Sequence, residues 1–269
     1  MPNAMYLMES DEETLRMEVK TKAAIIEKQA RWAGILPGMR VADVGCGPGK
    51  TTGILHGMVQ PGGQTVGIDF SEARITHAEN TYMEKGMSFY CRDIQDDLSD
   101  LGTFDLIWVR FVLEYYRTKS FDIVKRLADL LRPEGILCLI DLDQNCLNHF
   151  DAPTRLTATL QGLMSYLSKH HDFDPHAGRK LYSYLYDLNF KNIDVHLEPH
   201  HLFFGKVSEA DYFNWKKKVI VAGKGSGYDF KEYGGCFDAF YREFDAFFRD
   251  PRRFTYTPVI CSRGRKPPQ

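Results

Sequence analysis

Asp43, Gly45, Gly47 and Gly49 stand at alternate positions in Val41-Ala42-Asp43-Val44-Gly45-Cys46-Gly47-Pro48-Gly49, and two further acids, Asp69 and Asp93, each close a short apolar run downstream. Glycine has no Cβ, so a loop with glycine at alternate positions can turn sharply and let a ligand lie against its backbone. Where such a turn leads into a helix, the first amide N–H groups favour an anionic group such as a carboxylate. An acid at a strand end can take two hydrogen bonds from a ribose diol. Residues of these types at these spacings could hold a small charged cofactor.

Three loop patterns compete, and register separates them. The dinucleotide pattern G-x-G-x-x-G fits Gly45 and Gly47 but meets Lys50 at its third position. The phosphate-loop pattern G-x-x-x-x-G-K-[ST] fits Gly49-Lys50-Thr51 but would need a glycine at Val44. The pattern acid-x-Gly-x-Gly-x-Gly fits Asp43, Gly45, Gly47 and Gly49 at every position. Here the chain resembles the class I S-adenosylmethionine (SAM)-dependent methyltransferases of the small-molecule type. The likeness continues through Thr65-Val66-Gly67-Ile68-Asp69-Phe70, with Asp69 20 residues past Gly49, and through Met87–Ile94, Phe104–Arg110 with Phe111–Tyr115 after it, and Leu130–Ile140. In that order these segments cover about residues 35–142.

The resemblance implies SAM as methyl donor, with S-adenosylhomocysteine (SAH) as product. It implies that Asp43, Gly45, Cys46, Gly47 and Gly49 lie near the methionine part. Asp69 would hold the ribose, Phe70 flank the adenine, Asp93 and Ile94 read the adenine edge, and Arg110 lie near the methionine part. The acceptor would be an O, N or C atom of a small, aromatic or apolar metabolite. Two other readings stay open: a SAM-binding regulatory protein without transferase activity, and a protein or RNA methyltransferase. Arg110-Phe111-Val112-Leu113 stands where an Asn-Pro-Pro-Tyr motif would suggest amide or base amines as acceptors.

Methyl transfer from a sulfonium needs binding, alignment and exclusion of water, and no metal or covalent nucleophile. Where the acceptor must lose a proton, a general base helps. His149, a few residues past the fifth strand, is the candidate, with a solvated loop histidine as the alternative; His200 and His201 are weaker candidates. Arg110 could equally pair with Glu114 at i,i+4. Tyr182 and Tyr186 share a helical face and are expected in the core or the pocket wall. His170-His171-Asp172-Phe173-Asp174-Pro175-His176 has metal-ligand residue types without regular spacing, so a polar loop and no metal are expected. Phe237, Phe240, Tyr241, Phe244, Phe247 and Phe248 recur at helical spacing. They are expected mainly to pack, and could also line a pocket or pair two subunits as a homodimer. Lys216-Lys217-Lys218 and Arg252-Arg253 are expected on a solvated face.

The elements that must position these residues alternate strand and helix from residue 40 to 141. This predicts an α/β fold: a Rossmann-like, seven-stranded, mostly parallel sheet with helices on both faces. The sixth strand is expected at Ile193–Leu197 and an antiparallel seventh at Phe254–Cys261, inserted between the fifth and sixth. One domain spans 1–269, with its core at about 35–145, 178–204 and 251–263. Residues 1–34, including a helix over 11–34 that stops at Gly34, and helical insertions at 146–177 and 205–250 are expected to form a lid. A net charge of −2 exerts no general pull on nucleic acid or anionic membrane. No run of 18 apolar residues occurs, the start lacks an apolar signal core, and the six cysteines form no C-x-x-C pair. These features lead to the expectation of a cytoplasmic protein with reduced thiols and a small-molecule partner.

Overall fold

The computed structural model describes residues 21–268. The first helix among the described residues, α1 (Ala23–Ala33), buries Ile26, Ala30 and Ala33 along one face. Gly34, at φ 94°, ends it in the left-handed region and returns its N–H to Ala30 and Arg31. The stop at Gly34 is therefore where the sequence places it, while the expected earlier turns at 11–20 and the first 20 residues of the lid lie outside the described residues.

Five parallel strands follow: β1 (Arg40–Val44), β2 (Gln64–Asp69), β3 (Met87–Cys91), β4 (Phe104–Arg110) and β5 (Leu131–Leu142). Between them run α2 (Lys50–Val59), α3 (Glu72–Tyr82) and α4 (Ser120–Asp129). The sheet order is β3-β2-β1-β4-β5-β8. The last strand, β8 (Phe254–Arg265), lies antiparallel between β5 and β7 (Lys191–Phe203), as expected. Among the described residues the sheet has eight strands rather than seven, because His149–Phe150 add a two-residue β6 against Thr255 and Phe254. β7 is also much longer than the expected 193–197, since its pairing with β8 continues to Phe203.

Alternation along the strands divides the core between the two faces of the sheet. Leu106 and Trp108 of β4 join Ile26 and Ala30 of α1 and Leu55 and Val59 of α2. Ile107 and Val109 join Ile123, Val124 and Leu127 of α4 and Leu181 and Leu185 of α6 (Leu181–Asp187). Every strand residue from Val41 to Val44 is buried, so the loop that follows leaves the sheet from a fixed point.

A third core lies among three helices outside the sheet. α5 (Thr154–His170), α7 (Glu209–Ser226) and α8 (Phe237–Arg249) bury Leu160 and Leu163, Trp215 and Val219, and Phe240, Phe244, Phe247 and Phe248 against one another. Trp215 and Phe244 each stack on Phe248, at ring separations of 5.2 and 5.6 Å. Each fully buried ring contributes about 2–3 kcal/mol. Tyr182 and Tyr186 do not take the expected core or pocket positions. They are 47% and 64% exposed and stack on each other at 6.1 Å, because α6 turns its leucines inward.

Candidate active site

The three loop glycines all adopt positive φ: 75° at Gly45, 55° at Gly47 and 93° at Gly49. At Gly45 the requirement is also steric, since an added Cβ would lie 2.2 Å from Cγ2 of Val112. The loop is stapled internally rather than presenting open amides. Gly45 and Cys46 donate to the carbonyl of Ile68, Gly49 donates to that of Cys46, and Gly47 donates to Asp69 Oδ2 at 2.9 Å. These four amides therefore bind within the fold, and the amides expected to favour an anion are those that open α2.

Asp69 closes β2 and is 6% exposed. Its second oxygen, Oδ1, accepts from Ser71 N at 3.0 Å and faces Arg74 Nη1 at 3.5 Å. A carboxylate offers about four lone-pair sites. The two amides and Arg74 therefore leave about one of these on a group that lines the cavity. Phe70, 40% exposed, follows it, and Asp93 fixes its own turn by accepting from Gln95 N at 2.8 Å. Ile94 is buried beside them.

One cavity of about 580 Å³ joins these groups. Its wall includes Gly45, Cys46, Gly47, Asp69, Phe70, Asp93, Ile94 and Arg110, and it continues beneath α5, α7 and α8. Asp43 and Gly49 are not on that wall. Asp43 lies behind the loop, 2% exposed, where its Oδ2 accepts from Thr52 Oγ1 at 2.7 Å and so ties α2 to β1. Burial raises its carboxyl to about 7.

Arg110 ends β4. Its Nε donates to Gln29 Oε1 at 3.2 Å, and its guanidinium lies 4.0 Å from the ring centre of Phe111. Gln29 in turn donates to Glu198 on β7. Burial lowers Arg110 to about 10, which leaves it a cation at neutral pH. Its neighbour Phe111 has φ 59°, a conformation costly for an aromatic residue and typical of functional sites.

A family model described as a methyltransferase domain matches residues 41–135, the stretch that builds the loop and the acid-ended strands. Over these residues the chain is similar to methyltransferase domains. It is 26% identical over 123 residues to the ubiquinone biosynthesis O-methyltransferase of Bradyrhizobium diazoefficiens, a match covering 44% of this chain and 46% of that protein. It is 30% identical over 102 residues to the trans-aconitate 2-methyltransferase of Escherichia coli, covering 37% of each. The chain thus spans less than half the length of these curated relatives. Among solved structures, a methyltransferase from Bacillus halodurans shares the fold at a TM-score of 0.58 and 13% identity, covering 91% of this chain and 99% of that one. Phosphoethanolamine N-methyltransferase 2 of Haemonchus contortus, solved with SAM, does so at 0.55 and 14%, covering 96% and 57%.

Beyond the matched stretch, the structure departs from several expectations. His149 is off the cavity wall. Its Nδ1 contacts Thr255 Oγ1 at 2.9 Å and its Nε2 contacts the Cys146 carbonyl at 3.1 Å. A carbonyl only accepts, so Nε2 carries the proton and Nδ1 accepts from the threonine. The ring packs edge-on against Trp215 and Phe247, and burial lowers its pKa to about 4. With both nitrogens engaged, His149 is placed to fasten β6 to β8, α7 and α8 rather than to take a proton from an acceptor. His200 does line the cavity, edge-on to Phe111 at 4.8 Å.

The residues from His170 to His176 diverge. His170 stacks on Tyr166, His171 meets the Ser226 carbonyl at 2.8 Å, Asp172 accepts from Thr118, and Asp174 pairs with Lys180. No group of three or more His, Cys, Asp or Glu among the described residues could hold a metal ion. No helix among the described residues is long and apolar enough to cross a membrane.

The basic runs are not uniformly solvated either. Arg253 is 2% exposed, with its Nε donating to the Phe248 carbonyl at 2.7 Å, and Lys218 lines the cavity. Lys218 Nζ donates to Asn145 Oδ1 at 2.6 Å, and Asn145 Nδ2 donates to Glu114 Oε2 at 2.9 Å. The Glu114 amide donates to Asp141 Oδ2 at 3.1 Å. Burial and the nearby Glu114 carboxylate hold Asp141 well above the usual carboxylate range. Sequence reasoning did not assemble Glu114, Asn145 and Lys218 as a site. The available signal was position: Glu114 and Asn145 follow β4 and β5 at their carboxyl ends, where ligands bind in open α/β sheets.

Proposed function

We propose that this chain is a SAM-dependent methyltransferase acting on an O, N or C atom of a small acceptor with an apolar body. The observation that carries the reading is the continuity of a single cavity from Asp69 and Asp93 at the strand ends to an apolar chamber under α5, α7 and α8. Its volume of about 580 Å³ is in the range of small-molecule sites.

When bound, SAM supplies a methyl group already activated on sulfur. The residues present fit it. Asp69 has acceptor capacity for a ribose diol, Phe70 offers a face to the adenine, and Asp93 with Ile94 lies beyond it. Arg110 brings positive charge toward a carboxylate beside the Gly45–Gly47 backbone. Asp43 and Gly49 act from behind the wall, by holding α2 and the turn. Leu160, Leu163, Met164, Phe240 and Phe244 exclude water from the chamber and hold the acceptor in place.

Titration calorimetry with SAM tests the first half of this reading: SAM should bind, and Asp69→Ala should bind it far more weakly. Tight binding of NADH or ATP without binding of SAM would refute it. Release of SAH from SAM in the presence of a metabolite mixture tests the second half, and its absence would favour a regulatory SAM-binding protein.

A further inference from the structure

The chamber beneath the lid is apolar on most sides, and Lys218 interrupts it. α7 presents Trp215, Lys218 and Ala222 to the cavity at i, i+3 and i+7, one face of a helix. The preceding Lys216 is exposed, so the run of three lysines is split between solvent and chamber. The ammonium lies 5.5 Å from the Trp215 ring centre. An ammonium has three donors, and among the described residues Lys218 uses its hydrogen bond to Asn145.

Asn145 gives that ammonium a dipole but no counter-charge. The amide is oriented on both sides, with Oδ1 toward Lys218 and Nδ2 toward Glu114. Its own N–H is fixed to the Pro175 carbonyl at 3.0 Å. Gln144 and Cys146 flank it at φ 49° and 63°, so the surrounding turn holds this geometry against local backbone preference. The Glu114 carboxylate therefore stands one side chain beyond the lysine, and its attraction falls with distance. A cation with spare donors in an apolar chamber is stabilised most by an anion that meets it directly.

We infer that Lys218 anchors a carboxylate on the methyl acceptor, so that the substrate class is an anionic molecule with an apolar body. Asn145 is the positioning residue that aims the ammonium into the chamber, and Glu114 keeps a second anion from settling on the other side of the amide. The inference rests on the transferase reading above, with the chamber as the acceptor site.

The test is calorimetry at saturating SAH with straight-chain and phenylalkyl carboxylates of about six to twelve carbons, beside the matched alcohols and amines. Wild type should bind the best carboxylate about 10-fold or more tightly than its alcohol or amine. Lys218→Met should erase that preference, Lys218→Arg should keep it, and both should bind SAM within about 2-fold of wild type. Equal or tighter binding of alcohols or amines would overturn the inference. So would a carboxylate preference that survives Lys218→Met, or no carboxylate binding at all. Should Lys218→Met fail to fold, the wild-type series together with Lys218→Arg still decides. Failure of wild type to bind SAM or SAH would instead overturn the transferase reading, which keeps the two failures distinct.

Discussion

Around Asp69 the cavity wall is placed by main chain. Gly47 and Ser71 give their amides to the carboxylate, and the loop hangs from the carbonyl of Ile68 at the end of a buried strand. Around Lys218 the wall is placed by side chains in series, from the lysine on ring-packed α7 to Asn145 in the turn after β5 and Glu114 in the turn after β4. The first arrangement tolerates almost no change at the loop, because backbone geometry shapes the cavity wall there. The second can alter its ligand by exchanging one side chain while the ring packing stays. A fixed half for a common donor and an adjustable half for a particular acceptor is the division of labour that the proposed transfer would need.

The largest effect should come from Asp69→Ala. It removes the acceptor for two backbone amides and for the proposed diol, which together are worth about 4 kcal/mol, or about 1000-fold in SAM affinity. Calorimetry checks this, and a loss below about 10-fold would mean that the main chain does not need the acid to shape the site. Gly45→Ala should act through the backbone alone. Positive φ and the contact with Val112 should together cost about 3 kcal/mol of stability, read by urea unfolding.

In the other half, Phe244→Ala should cost a similar amount, about 3 kcal/mol, by opening a cavity between Trp215 and Phe248. Here the loss should be local. Amide exchange should accelerate in 154–170, 209–226 and 237–249, while SAM affinity stays within about 2-fold. Uniform acceleration across β1 to β5 as well would break the contrast between the halves.

The same contrast explains what could be read without coordinates. Gly45 and Asp69 were legible because a positive-φ turn and a strand-end acid impose residue types at fixed spacing. The parallel core from β1 to β5 was legible because buried strands read as apolar runs. Lys218 was not legible, since nothing in Lys216-Lys217-Lys218 says which lysine turns inward. That is decided by Trp215 and Val219 packing on α8 and α5. His149 misled for a related reason. Its place after β5 suggests access to an acceptor, but its partner Thr255 comes from a strand 106 residues away. Asp43 fits its pattern in sequence yet faces Thr52, because alternate strand residues face opposite ways and only some meet the cavity.

Asp43 and His149 also give the smallest predicted effect, and it has opposite signs in the two halves. Asp43 has its carboxyl raised from 3.8 to about 7. Between those values the folded state holds a proton that the unfolded chain has released, so this group's contribution to stability falls as pH rises. His149 is lowered from 6.5 to about 4. Over that window the unfolded chain holds the proton and the folded state does not, so its contribution rises with pH and is lost on acidification. Each slope approaches about 1.4 kcal/mol per pH unit, and between about pH 4.5 and 6 the two nearly cancel. Urea unfolding at pH 4.5, 5.25 and 6 should separate them by difference from wild type. Asp43→Asn should tilt stability upward with pH and His149→Gln should tilt it downward, each by up to about 1.4 kcal/mol per unit, while the double variant returns to the wild-type slope. A double variant that departs from that slope would show that the loop half and the lid half are coupled through these two groups.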